Sequence, residues 1–290
     1  MDNALSSWLQ LREPADAVAR SGRLTRMITD ALAGSEPVHV LDLATGTGAN
    51  LRYLAPHLPR LQRWLVVDRD PTLLALLPAL TSSWGVARQY DVRTHVNGCG
   101  IRGERLECHV EARQLDLGSL TDGEIFAGRH LVTASALLDL VSPRWLSELA
   151  ARCLAAGAAA LFTITYNGWS CCSPSEPEDD VIRDLLNGHQ HTDKGLGGAA
   201  AGPEAVECIV RCFSEAGYRV RTEPSDWLLG SGEHELQRRL IEGWAEAATE
   251  MRDDPSRIAR WRDRRIAHVD AGRSRIVVGH LDVGALAPPR

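Results

Sequence analysis

Aromatic residues make up only 5% of this 290-residue chain, and no run approaches the roughly 18 uninterrupted apolar residues that a membrane-spanning helix requires. The first residues are polar and mixed in charge rather than basic and then apolar, so no targeting segment is expected there. An excess of positive charge is also missing. The formal net charge of -6 supplies no electrostatic footprint for a phosphate backbone, which favours small molecules over nucleic acid or a membrane as partners. The seven cysteines are odd in number and scattered through a chain long enough to bury a core unaided, so a disulfide framework is not expected. Reduced thiols and a cytoplasmic location follow as expectations.

What is present is concentrated early. Val38–Leu43 reads as a buried strand that runs into Ala44, Thr45, Gly46, Thr47 and Gly48 and then into a helix. Glycines permit tight turns and close ligand approach, and free amides at a helix start favour polar or anionic groups. A second hydrophobic run, Trp64 to Val67, ends in Asp68, roughly 20 residues past the glycines, where a carboxylate can accept both hydroxyls of a ribose. Two consecutive strands thus offer two halves of one nucleoside site.

The alternation continues along the chain. Strands are expected at 38–43, 63–68, 130–135 and 158–165, with helices near 49–57, 71–80 and 143–155 between them. This predicts an α/β fold with a parallel sheet covered on both faces. Helical spacing of Trp8, Leu11, Ala15 and Val18, then of Leu24, Met27, Ile28 and Leu32, places one or two helices before the first strand. Between 81 and 118 turn signals interrupt the pattern, and a strand or hairpin ending at Asp116 is expected. A turn-rich charged stretch after Tyr166 reads as a lid or mobile segment. Helices near 203–217 and 233–251, a strand near 218–222 and a last strand beginning at Arg275 complete the chain.

Asp42, Ala44, Gly46 and Gly48 fall on the first motif of the class I S-adenosylmethionine-dependent methyltransferases, and the chain resembles that family. Ala44 departs from the motif's usual first glycine by one methyl. The resemblance extends to Asp68, to Asp116 and Leu117 after the third strand, and to the fourth strand ending Thr133-Ala134-Ser135. It spans about the first half of the chain and fades beyond. It implies a Rossmann-like, mostly parallel seven-stranded sheet, with N-terminal helices over residues 1–34, a cofactor-binding core over 35–165, and a helical substrate or lid insertion that also completes the sheet over 166–290. The implied cofactor is S-adenosylmethionine, leaving as S-adenosylhomocysteine. The glycine loop would pack under its methionyl part, Asp68 would hold the ribose, and Asp116 with the Leu117 amide would meet the adenine edge. N-terminal helices that close over the cofactor would let Arg12, Asp16 and Arg20 line it, with Arg20 meeting the carboxylate. Asp42 reads either as a direct contact or as a brace for the loop.

The electrophile is built into such a cofactor, so the enzyme mainly aligns a nucleophile and no conspicuous triad is required. Ser135 and Asp139 follow the fourth strand, where open α/β sheets place ligands. Asp139 is a candidate proton acceptor, with helix capping as its plainer reading. Tyr166 and Asn167 occupy a comparable rim position after the fifth strand, as substrate contacts. His189 and His191 lack a third placed metal ligand and read better as a substrate binder and a proton acceptor, with Lys194 for a carboxylate or phosphate. Trp227, Trp244 and Trp261 could roof an apolar substrate or simply pack the core.

The expected activity is methyl transfer to oxygen or nitrogen of a small-molecule acceptor, by a monomer or homodimer. No Asn-Pro-Pro-Tyr motif follows the fourth strand, which turns the reading away from nucleic-acid bases and protein glutamine. One rival is a non-catalytic cofactor-binding or partner-binding protein. Another is an NAD(P)-dependent oxidoreductase, whose fingerprint would require a small residue where Leu51 stands.

Overall fold

The computed structural model describes residues 4–251 and 254–288; positions 1–3, 252–253 and 289–290, at the edges of the first region and within the last, lie outside the described residues. Over these the order is α1 (Ala4–Ala19), α2 (Gly22–Ala31), β1 (Val38–Leu43), α3 (Ala49–Leu54), β2 (Leu61–Asp68), α4 (Pro71–Ala87), β3 (Asp91–His95), β4 (Gly98–Gly103), β5 (Leu106–Gln114) and β6 (Leu131–Ser135). Then follow α5 (Pro143–Ala156), β7 (Ala159–Ser173), α6 (Asp179–Gln190), α7 (Ala205–Glu215), β8 (Arg219–Pro224), β9 (Trp227–Leu229), α8 (His234–Glu250), α9 (Pro255–Asp270) and β10 (Arg275–Leu286).

The strands form one sheet in the order β3-β4-β5-β2-β1-β6-β7-β10-β8, with β9 paired to β10. β5, β2, β1, β6 and β7 run parallel, and β10 is antiparallel to both β7 and β8. Seven of the strands make the expected Rossmann-like set. The other three are β3 and β4, in the region where a strand or hairpin is expected, and β9, which the sequence reading did not place. From β1 the chain winds outward through β2 to β5, then returns to lay β6 on the other side of β1. Ligands of open α/β sheets bind above such a reversal, at the carboxyl ends of the strands.

Alternation along the strands feeds two cores. Val38, Val40, Trp64 and Val66 pack with Leu24 and Ile28 of α2, Leu51 and Leu54 of α3 and Leu77 of α4. Leu41, Leu43, Leu65 and Val67 pack on the opposite face with Trp145 and Leu149 of α5 and Ile209 and Phe213 of α7. A third cluster lies beyond the parallel strands, where Tyr166, Cys172, Ile276 and Val278 of β7 and β10 meet α6, α8 and α9, together with Trp8 and Leu11 of α1. Buried Arg265 of α9 donates to Asp179 at the start of α6 and to the Pro174 carbonyl, tying this layer together.

Two of the boundaries that differ from expectation bear on the site. β5 ends at Gln114, so Asp116 lies in the following loop, where its Oδ1 accepts the Gly118 amide at 2.9 Å. β7 does not stop at 165 but continues to Ser173, which leaves Tyr166 and Asn167 within a strand. The polar and glycine content of 167–173 imitates a turn, but β10 pairs with residues 170–173 and again with Tyr166, across a register shift. The ribbon bends at its middle. Ile164 has φ 55°, unusual for a β-branched residue. Buried Asp282 of β10 fills the gap by accepting the Ile164 amide at 2.8 Å and the Ser21 amide at 2.8 Å. Among the described residues, no helix is long and apolar enough to cross a membrane.

Candidate functional site

At the end of β1 the chain turns through alternate left-handed residues, Ala44 (φ 51°), Gly46 (φ 55°) and Gly48 (φ 87°). A Cβ on Gly48 would stand 2.9 Å from Leu77 and 3.2 Å from the Arg52 guanidinium, so both conformation and space demand glycine there. Asp68 closes the loop from the next strand: its Oδ2 accepts the Gly46 amide at 2.8 Å and its Oδ1 the Asp70 amide at 2.9 Å. Beneath the loop, Asp42 accepts 2.6 Å bonds from the Thr45 hydroxyl and the Asn50 amide. Asn50 also donates to Thr133 at 3.1 Å and accepts from Arg20 at 2.7 Å. Burial pushes the Asp42 carboxyl up to about 6 against the opposing pull of these bonds.

These groups enclose a cavity of about 280 Å³, roofed by Leu5, Leu9 and Arg12 of α1. Asp42, Ala44, Gly46, Asp68, Leu117 and Ser135 line it. Gly48 lies below the loop at the α3 cap. Arg20 and Asp116 do not line it. Arg20 is buried behind Asn50, its guanidinium 4.4 Å from the centre of the Tyr53 ring, and burial lowers its pKa despite Asp16, Asp282 and Asp42 nearby. Its place is one residue back, orienting the amide that holds Asp42. Asp116 is exposed, because Leu117 and not Asp116 turns inward from that loop.

A second cavity of about 440 Å³ adjoins the first, and Arg12, Ala136 and Leu140 line both. Its walls include Trp8 of α1, Tyr166 of β7, Trp227 of β9 and Trp244 of α8. The Arg12 guanidinium lies 5.0 Å from the Trp227 ring centre and bonds Asp16 at 3.0 Å, while Asp16 accepts the Trp227 indole N–H at 3.0 Å. Asp139 sits in a short 3-10 turn after β6, lines this cavity and is 6% exposed. Burial pushes its carboxyl up to about 6, against the Tyr166 main-chain amide and the charge of Arg12. His189 and Lys194 line the cavity too, the Lys194 ammonium donating to the His189 carbonyl at 3.1 Å and Thr192 at 2.7 Å. Burial lowers the Lys194 pKa.

His191 and Asn167 stand apart from this cavity. His191 caps α6 and faces Glu204 at 3.3 Å. Helical residues two apart point about 200° from each other, so when His189 faces inward His191 faces out. The Asn167 side chain accepts the Trp169 amide at 3.1 Å. Three contributors escaped the sequence reading: Asn50, Trp8 and His280. His280 of β10 is 5% exposed and lines the second cavity, its ring centre 5.1 Å from that of Trp227 and 6.2 Å from that of Tyr166. Burial, helped by Arg12, holds its pKa down to about 3, so the ring is neutral. Among the described residues no cluster of three His, Cys, Asp or Glu side chains could hold a metal ion.

No protein-family model and no curated protein matches the chain. Among solved structures it is similar to an S-adenosylmethionine-dependent methyltransferase from Geobacter sulfurreducens in complex with S-adenosylhomocysteine, at 15% identity over 93% of this chain and 92% of that one, TM-score 0.45. A methyltransferase from Thiobacillus denitrificans, also in complex with S-adenosylhomocysteine, matches at 13% identity over 97% and 98%, TM-score 0.45. The [4+2]-cyclase SpnF matches at 14% identity over 99% and 96%, TM-score 0.41. The functional reading rests on the cavities themselves.

Proposed function

We propose that this chain is a class I S-adenosylmethionine-dependent methyltransferase that methylates oxygen or nitrogen of a small-molecule acceptor. The carrying observation is the junction: a glycine-loop cavity with an acidic strand end opens, past Arg12, Ala136 and Leu140, onto a second cavity of substrate size with a buried carboxylate. The first cavity fits the cofactor in kind. Its loop runs left-handed at alternate positions, Asp68 borders it, and the buried Thr47 hydroxyl in its wall has no partner in the protein.

In this reading residues 35–165 carry the cofactor, 1–34 cap both cavities, and 166–290 supply much of the acceptor side. Asp68 receives the ribose hydroxyls. Asp42 braces the loop through Thr45 and Asn50, and Arg20 positions Asn50 behind it. Leu117 packs at the adenine end and Arg12 spans the junction. When bound, S-adenosylmethionine would supply an electrophilic methyl for the acceptor's lone pair, with the sulfur keeping the electron pair as S-adenosylhomocysteine. Asp139 accepts the proton the acceptor releases, as a carboxyl tuned toward neutrality can. α1 roofs both cavities and keeps water from the junction.

Calorimetric titration with S-adenosylmethionine, S-adenosylhomocysteine and NADH tests the assignment. Saturable binding of the two sulfur ligands, lost in Asp68→Ala, is the expected result. Binding of NADH in their place would overturn it.

A further inference from the structure

The second cavity carries more information than its position. Three of the chain's eight tryptophans, Trp8, Trp227 and Trp244, and one of its four tyrosines, Tyr166, converge on it from α1, β9, α8 and β7. Aromatic walls of this kind favour the flat faces of another ring. Set among them are two buried polar atoms with no hydrogen-bond partner in the protein, Asp139 Oδ1 and His280 Nδ1. Both residues line the cavity although they lie 141 positions apart (280 − 139). β7 links them: Asp139 leans on the Tyr166 main-chain amide, and Tyr166 stands directly across the ladder from His280. Neighbouring strands are spaced about 4.8 Å apart.

An unpartnered buried polar atom is costly, on the order of 1–3 kcal/mol, and two on residues that line one cavity favour a ligand that reaches them. A carboxylate accepts only, so the ligand must donate. A hydroxyl or amine donates to Asp139 and can serve either tautomer of His280. Arg12, Lys194 and Arg239 also line the cavity, which disfavours an acceptor with a permanent positive charge.

We propose that the second cavity binds a planar aromatic acceptor without positive charge, bearing adjacent hydroxyl or amino groups, and that His280 is the substrate-binding residue that shares those groups with Asp139. The inference rests on the methyltransferase reading for the word acceptor, but its binding content can be measured separately. Full-length protein saturated with S-adenosylhomocysteine is titrated calorimetrically with catechol, with 1,2-dimethoxybenzene (the same ring without donors) and with cyclohexanol (a donor without the aromatic ring). Catechol is expected to bind at least tenfold more tightly than either. His280→Phe should weaken catechol at least tenfold and leave S-adenosylhomocysteine within threefold, while His280→Asn recovers part of the loss.

Equal affinity for the three compounds, no catechol binding, or an unchanged His280→Phe overturns the proposal. If His280→Phe fails to fold, shown by loss of S-adenosylhomocysteine binding, the three-compound comparison in the unmodified protein decides alone. Catechol bound by a protein that ignores S-adenosylhomocysteine would sink the methyltransferase reading and leave the aromatic site standing.

Discussion

The two adjoining cavities share Arg12, Ala136 and Leu140 yet are assembled in opposite ways. The first is made largely from two short segments, 42–50 and 68–73, held by backbone conformation and by carboxylates that bond main-chain amides. The second is made from side chains on α1, the turn after β6, β7, α6, β9, α8 and β10, drawn from the whole length of the chain. A site built from backbone tolerates few substitutions and suits an invariant ligand. A site built from scattered side chains can be respecified residue by residue, as expected where the ligand varies among relatives of one fold.

The sharpest test of that division is Asp139→Asn. With the carboxylate gone, turnover with a competent acceptor should fall about 10²- to 10⁴-fold while cofactor affinity holds within threefold. In the unmodified protein the rate should rise with pH up to about 6 and then level, because only the ionised form accepts a proton. Stability runs the other way. Burial raises this carboxyl above its ordinary value of 3.8, so its stabilising contribution is complete below that value, fades as pH rises, and is gone above about 6. Asp139→Asn should therefore melt higher than the parent at pH 7, by roughly 1–3 kcal/mol, and alike at pH 4. A variant that loses activity and stability together at pH 7 would mark Asp139 as a structural residue instead, since Ser142 and not Asp139 caps the helix that follows.

Asp68→Ala probes the other side. It removes the proposed ribose anchor and strands the Gly46 and Asp70 amides, so S-adenosylhomocysteine affinity should drop about 100-fold. Catechol binding, measured without cofactor, should change by less than threefold. Equal losses in both titrations would mean that the cavities are one cooperative unit.

The same contrast explains what could be read in advance. The first cavity was legible because β1, its loop and Asp68 are contiguous or one strand apart, and both the glycine spacing and the acid are local demands of the backbone. Asp116 went astray by a single position, because strand alternation does not say which residue of the following loop turns inward. The second cavity was legible only in pieces. Asp139, Tyr166, His189, Lys194 and Trp227 were named, but their convergence depends on a bent ribbon. His280 was invisible because its direction is set by register shifts in β10 on either side of it, between Val278 and His280 and between Leu281 and Val283. His191 was an attractive partner in sequence that helical geometry turns away.

α1 belongs to both cavities, and one contact couples it to the glycine loop. Arg52, 4% exposed, bonds Glu13 of α1 at 2.6 and 2.8 Å and the Thr47 carbonyl at 2.6 Å. Glu13→Ala leaves that guanidinium buried without its counter-charge, at a cost of roughly 1–3 kcal/mol in stability. Unlike Asp68→Ala, it should weaken S-adenosylhomocysteine and catechol together, each about three- to tenfold, since Leu9, Trp8 and Arg12 ride on the same helix. Calorimetry on both ligands with a melting curve separates this from a loss confined to one cavity.

The smallest effect concerns the one position where the loop lacks its customary glycine. Ala44 holds φ 51°, a conformation that disfavours a Cβ by about 1 kcal/mol. Ala44→Gly relieves this but adds freedom to the unfolded chain, which returns about half of the gain. The net expectation is a rise of about 0.5 kcal/mol, or roughly 1–2 °C in Tm, with S-adenosylhomocysteine affinity within threefold. Ala136 carries the same strain at φ 53° where the cavities meet, so Ala136→Gly should stabilise comparably. If Ala136→Gly costs turnover where Ala44→Gly does not, the alanine methyl at the junction is shaping the path between the two ligands, and the strain there serves chemistry while the strain at Ala44 serves nothing that binding detects.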